Sequence, residues 1–231
     1  EKPIFVCGLA RAGTTIVTQL LNQHSSTGSL LYKDLPFLEA PYFWSFVQDG
    51  YYGKQGSSER PHGDGLHVDP ESPDAFEELL WKRYLPEYES EGFCQLLDTC
   101  PCEDALRALI QKVLLIRRST RYLSKGNYSL FRILALLRAF PDAKIIVCIR
   151  DRFDHAQSLA RVHKRFWEMA DSDAGFTKEL TLLGHFEFGP ARTPIDLPGG
   201  HREKALQHWE RGEGYEGYLL QWLDVYRFVL E

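Results

Sequence analysis

The chain has 231 residues, 44% hydrophobic and 13% aromatic, enough for one large α/β core and too apolar for extended disorder. A formal net charge of −5 and a pI near 5.9 exclude a protein whose main business is coating nucleic acid, because that needs a basic excess. No apolar run reaches the roughly 18 residues that span a bilayer, and "EKPIFVCG" lacks the shape of a signal peptide, so no membrane span and a cytoplasmic protein are expected.

Five cysteines at irregular spacing make no disulfide framework and fit a reducing compartment. Cys7 and Cys148 lie in apolar runs and read as small core residues, and Cys100 and Cys102, which flank a proline, read as ordinary thiols rather than a redox pair.

Residues 3–8 form a short apolar run ending in Gly, the pattern of a strand buried on both faces. Behind it stands "GLARAGTT", Gly8 to Thr15, followed by Ile16, Val17, Leu20 and Leu21 at helical spacing, so strand, glycine turn and helix follow directly. Asp49 to Asp74 is rich in Gly, Ser, Pro and charge and reads as a long functional loop. "SPDAFEELLWKRY" then predicts a helix capped by Ser72. "LFRILALLRAF", Leu130 to Phe140, predicts an amphipathic helix stopped by Pro141. "AKIIVCI" is the most strand-like segment and leads through "RDRFD" into a helix carrying Ala156, Leu159 and Ala160. "GPARTPIDLPGG", Gly189 to Gly200, is a second loop before a last helix containing "GYLLQWLDVYRFVL". Alternating strands and helices predict one α/β domain over residues 1–231, with a mainly parallel sheet of the P-loop type and helices on both faces. Ligands in such sheets bind at the carboxyl ends of the strands, where Gly8 and Arg150 both fall.

A loop between strand and helix N-terminus is an anion site, because unpaired N–H donors and the positive end of the helix dipole point the same way. Gly8 and Gly13 permit the turn, while Thr14 and Thr15 add hydroxyl donors. The lysine that an ordinary nucleotide loop carries after its second Gly is replaced by threonine, and a cation stands inside the loop as Arg11, whose planar fork suits phosphate or sulfate. In the second unit Arg150 ends a predicted strand and Ser158 lies two turns into the next helix, where both can face one anion.

Taken together these patterns resemble the sulfotransferases that use 3′-phosphoadenosine-5′-phosphosulfate. Their first loop, G-x-x-R-S-G-T-T, is matched by Gly8, Arg11, Gly13, Thr14 and Thr15, with Ala12 where Ser is common; the resemblance implies that it binds the 5′-phosphosulfate. Arg150 and Ser158 match the family's second element, which implies a 3′-phosphate site. "YKDLPF", "ERPHGDG", "ESPDAFEE" and "YLSKGNY" look like bacterial members of the Arg-containing branch, which also includes the tyrosylprotein sulfotransferases. The likeness spans residues 3–165, with donor elements at 3–25 and 121–165, acceptor loops at 49–74 and 184–200, and weaker support from "GYLLQWLDVY". By the same resemblance Lys125 is a catalytic lysine, no metal is needed, and the acceptor is a hydroxyl or amine on a small molecule or polymer.

Sulfuryl transfer needs in-line placement, stabilisation of charge on the leaving phosphate and removal of the acceptor's proton. For the base, Asp34 lies near where the tyrosylprotein enzymes carry their catalytic Glu; it can equally cap a helix starting at Leu35 or Pro36, and Glu39, His62 and His67 are alternatives. "HGDGLHVD" offers His62, Asp64, His67 and Asp69 to a metal, but the spacing matches no established metal motif. Two other readings share the loop. A P-loop kinase or nucleotide hydrolase would show Mg²⁺-dependent ATP turnover, and a non-catalytic nucleotide-binding module would bind adenosine 3′,5′-bisphosphate without transferring anything. Oligomeric state is not specified by the sequence.

Overall fold

The segment IFVC buries both of its faces, and that places it in the middle of a sheet. In the computed structural model, which describes residues 2–52, 56–85, 96–173 and 175–231, it is β1 (Ile4–Cys7). The other strands are β2 (Thr27–Gly28), β3 (Ser58–Glu59), β4 (His67–Val68), β5 (Arg121–Lys125) and β6 (Lys144–Val147). The α-helices described are α1 (Thr14–Asn22), α2 (Pro41–Trp44), α3 (Gln48–Tyr52), α4 (Glu78–Tyr84), α5 (Glu103–Arg117), α6 (Ile133–Ala139), α7 (Arg152–Ser172), α8 (Phe176–Leu183), α9 (Arg202–Glu210) and α10 (Gly214–Leu230).

The main sheet is parallel, in the order β2-β5-β1-β6, with Ile4 opposite Leu123 on one side and Lys144 on the other. Side chains alternate along β1 and build two cores. Phe5 and Cys7 join Tyr122, Phe140 and the Leu106, Ile110 and Val113 stripe of α5. Val6 joins Leu123 and Cys148 on the opposite face, under Val17 and Leu21 of α1. Helices therefore cover both faces. Each such side chain, fully buried, contributes about 1.5–3 kcal/mol. Of the apolar residues expected to seat α1, Ile16 and Leu20 instead face outward at 50% and 62% exposure, and Thr14, Thr15 and Thr18 are buried. Only the first turn, Thr14 to Ile16, opens onto the cavity at the carboxyl ends of the strands.

Two expected elements differ. The helix after Ser72 begins only at Glu78, because Ser72 bonds Asp69 in a turn and Asp74 caps the N–H of Ala75. The long loop contains a short antiparallel hairpin, β3 with β4, while its residues 53–55 lie outside the described residues. Among the described residues, no helix is long and apolar enough to cross a membrane. Cys7, Cys100, Cys102 and Cys148 are free thiols.

Behind the sheet, Arg132 pairs with Glu78 at 2.7 Å and stacks over Trp81, while the Tyr122 hydroxyl donates to Glu77. Burial pushes the Glu77 carboxyl up to about 7. A raised folded-state pKa gives stability that is full below the unfolded value of about 4.5 and is lost as pH rises through 7. Glu77→Gln keeps an acceptor for Tyr122 and removes that loss, on the order of 3 kcal/mol at pH 8. The expected gain in Tm is several degrees at pH 8 and close to nothing at pH 4.5. Equal gains at both pH values, measured by thermal unfolding, would sink this account.

Candidate active site

Parallel pairing brings the carboxyl ends of β1, β5 and β6 to one edge, and each end carries a cation: Arg11, Lys125 and Arg150. The loop after β1 is tightly wound. Gly8 lies so close to the end of the β6 segment that a Cβ there would meet the Cys148 carbonyl oxygen at 2.7 Å. Arg11 and Gly13 take left-handed backbone, at φ 74° and 101°. Gly13 accommodates this freely, whereas Arg11 holds a conformation that costs a branched or bulky residue free energy and that recurs at binding sites. Helix α1 starts at Thr14, so the first-turn N–H groups have no acceptor within the helix and remain available to an anion.

The loop is anchored from two helices. Nε2 of His155, near the start of α7, bonds the Ala10 carbonyl at 2.7 Å, and burial lowers the imidazole to about 4, keeping it neutral for that donation. Asp151 caps α7 by accepting from the N–H groups of Phe153 and Asp154, so this carboxylate after the β6 segment is engaged in capping. From α10 the Tyr226 hydroxyl accepts from the Leu9 N–H at 3.3 Å and donates to the Cys148 carbonyl at 2.9 Å.

These elements enclose a cavity of about 550 Å³. Arg11, Ala12, Gly13, Thr14, Thr15, Lys125 and Arg150 line it, and Ser158 sits buried behind Arg11, whose Nε donates to the Ser158 hydroxyl at 3.2 Å. Lys125 closes β5 and its ammonium pairs with Asp74, which also accepts from the Tyr32 hydroxyl at 2.9 Å. Burial would raise the Asp74 carboxyl, but the charge and hydrogen bond of Lys125 hold it well below the usual carboxylate range. Thr14 donates to Asn127 at 3.3 Å, and Asn127 donates to Glu187 at 3.0 Å. His185 stands 3.8 Å from Glu187; burial opposes its charge, but the Glu187 carboxylate raises its pKa overall. The far wall is apolar, with Phe166, Phe176, Leu180, Leu183 and Phe188.

Asp34 is not brought to this cavity. It is fully buried, accepts the Leu31 N–H at 2.8 Å and takes both contacts of the Arg117 Nη2 at 2.5 and 2.6 Å. Nor does it cap a helix at Leu35 or Pro36, since the next helix starts at Pro41; its carboxylate closes the Leu31–Asp34 turn. Glu39 is exposed and paired with Arg83, and His67 is exposed on β4. Of the four candidate bases read from the sequence, His62 is the one lining the cavity, against Phe166 and Phe188. Burial, then Arg60 and other nearby cations, lower it to about 3, so it is neutral, and its Nδ1 has no hydrogen-bond partner among the described residues. Asp64 is held by Arg11 and Arg60, and among the described residues no group of three His, Cys, Asp or Glu is placed to hold a metal ion. Asp74 was missed by the sequence reading because "SPD" looks like a helix start.

Residues 3–185 match the model of the sulfotransferase family. The chain belongs to that family. The chain is 28% identical, over 189 residues, to omega-hydroxy-beta-dihydromenaquinone-9 sulfotransferase Stf3 of Mycobacterium bovis and of Mycobacterium tuberculosis. The match covers 73% of this chain and 47% of each relative, so the chain spans about half the length of the curated relatives it matches. Among solved structures, sulfotransferase STF1 of M. tuberculosis aligns with a TM-score of 0.48 at 17% identity, over 100% of this chain and 70% of that one. Sulfotransferase STF9 of Mycobacterium avium aligns with a TM-score of 0.41 at 19% identity, over 96% and 68%. Both the loop after β1 and the Arg150–Ser158 element fall inside the residues that match the family.

Proposed function

We propose that this chain moves a sulfuryl group from 3′-phosphoadenosine-5′-phosphosulfate to a hydroxyl or amine acceptor by in-line transfer. The observation that carries the reading is the convergence of Arg11, Lys125 and Arg150 on the loop N–H groups at one sheet edge, with Arg11 bonded to Ser158 across it. The loop and Arg11 hold the 5′-phosphosulfate, Arg150 and Ser158 take the 3′-phosphate, and Lys125 stabilises the charge that develops on the leaving phosphate. As Lys125 turns toward the donor it releases Asp74, a half-buried carboxylate that then accepts the proton of the attacking hydroxyl. The acceptor oxygen–sulfur bond forms as the sulfur–phosphate oxygen bond breaks, and Asp74 keeps the proton until the site opens. Tyr32, bonded to Asp74 Oδ2, orients that carboxylate.

The apolar wall of Phe166, Phe176, Leu180 and Phe188 favours an acceptor that carries its hydroxyl on an apolar body. The mycobacterial relatives are named for a hydroxylated dihydromenaquinone, a compound of that class. We take residues 1–231 as one domain, on the support of Tyr226, which joins the last helix to the first loop. Free thiols at Cys7, Cys100, Cys102 and Cys148 support a reducing compartment.

Adenosine 3′,5′-bisphosphate is expected to raise Tm more than AMP, ADP or ATP at equal concentration. Arg150→Ala should weaken the bisphosphate by about 10- to 100-fold and leave AMP unchanged, since a charge-assisted contact is worth about 1.5–3 kcal/mol. Equal weakening of both ligands in a thermal-shift titration would remove Arg150 from the 3′-phosphate.

A further inference from the structure

The β3–β4 hairpin carries a cation that neither the loop motif nor the strand ends account for. Arg60 is nearly buried, at 11% side-chain exposure, and its Nη1 donates to the hydroxyl of Thr15 at 3.1 Å. Thr15 is the second residue of α1, so this guanidinium stands over the N-terminus where the loop N–H groups converge. Its remaining donors close on Asp64 four residues on, with Nε at 3.1 and 3.0 Å from the two carboxylate oxygens and Nη2 on Oδ2. The same Oδ2 takes Nη1 of Arg11. One carboxylate oxygen therefore ties together two guanidiniums, that of Arg11 within the loop and that of Arg60 on the hairpin.

The hairpin is fixed in this place independently of Asp64. Arg165 of α7 donates to the Pro61 carbonyl at 2.8 Å, and a Cβ on Gly63, at φ 61°, would collide with the Arg165 guanidinium at 2.6 Å. Asp64 also accepts the Leu66 N–H at 3.1 Å, which orders the turn and aims the carboxylate.

Bringing two guanidinium groups together at a helix N-terminus is costly in like-charge repulsion unless an anion binds there. Asp64 neutralises about one of the two charges, so a net cation faces the loop. From this we infer that Arg60 is a second arginine of the 5′-phosphosulfate seat, and that Asp64 is the positioning residue that holds Arg60 and Arg11 together at the loop. The inference rests on the donor reading given above. It moves the 58–68 segment from the acceptor wall, where the sequence places it, to the donor side.

The test compares adenosine 3′,5′-bisphosphate with adenosine 3′-monophosphate, which lacks the 5′ group. Binding is read by isothermal titration, and unfolding scans report on folding. Arg60→Ala should weaken the bisphosphate by about 10- to 100-fold and leave the 3′-monophosphate unchanged, the mirror image of Arg150→Ala. Arg60→Lys, which keeps the charge and loses the fork, should fall between wild type and Arg60→Ala. Asp64→Asn retains an acceptor for Leu66 and should weaken the bisphosphate severalfold with no effect on the 3′-monophosphate. If the wild-type protein binds the bisphosphate and Arg60→Ala binds it equally well, the inference fails while the donor reading stands. Tighter binding by Asp64→Asn would overturn the positioning role, because Asp64 would then be a competitor of the ligand. A wild-type protein that binds neither nucleotide would overturn the donor reading, and the inference with it.

Discussion

Asp74→Asn is expected to lower kcat by about 10²- to 10⁴-fold while leaving affinity for adenosine 3′,5′-bisphosphate within a few-fold of wild type. The asparagine oxygen still accepts from the Ala75 N–H, and its amide can donate to the Tyr32 hydroxyl oxygen where Oδ2 had accepted, so the turn before α4 keeps its bonds. What disappears is a group able to take a proton beside Lys125. In the free protein the Asp74 carboxyl is held low by Lys125, so kcat/KM should show no acid limb from this group in the usual carboxylate range. The neutral His62 across the cavity provides the internal control: His62→Asn should change KM for the acceptor more than kcat. Steady-state turnover of Asp74→Asn within threefold of wild type would remove Asp74 from the role, and a collapse of kcat in His62→Asn would transfer the proton to that ring.

Asp34→Asn is expected to act on stability instead. Removing one partner of a buried ion pair leaves the other charge uncompensated, at a cost of 3–5 kcal/mol in fully buried cases. Arg117 keeps 14% side-chain exposure against 1% for Asp34, so water recovers part of that cost and about 3 kcal/mol is the expected figure. For a chain of this size that lowers Tm by roughly 6–12 °C. The fraction still folded should turn over at close to the wild-type rate. An unchanged Tm together with lost turnover would return Asp34 to the chemistry.

The contrast between these two aspartates marks where the sequence stops being readable. The first loop could be read because its signals are local: an apolar run ends in Gly8, the period changes from strand to helix, and Arg11 stands between two glycines. Arg150 and Ser158 could be read in the same way. Asp34 could not, because the partner that decides its role, Arg117, lies 83 positions away on α5. The same holds for Asp74, 51 positions from Lys125. Strand β5 escaped notice for a different reason. RYLSK has no continuous apolar run, yet four of its five residues are buried, Ser124 and Lys125 among them, because its carboxyl end opens onto the site. A central strand that delivers a charged side chain to a ligand necessarily departs from the pattern that would reveal it.

The Tyr226 hydroxyl has a bearing on where this protein can be cut. The family match ends at residue 185 and includes Arg11, Arg60, Lys125, Arg150 and Ser158. A fragment trimmed to that boundary would keep those five groups and lose the one phenol that clasps the Leu9 amide to the Cys148 carbonyl. The loop after β1 would then be joined to the rim of β6 with one crossbar fewer. A fragment bounded by the family match would carry the loop after β1 without that clasp.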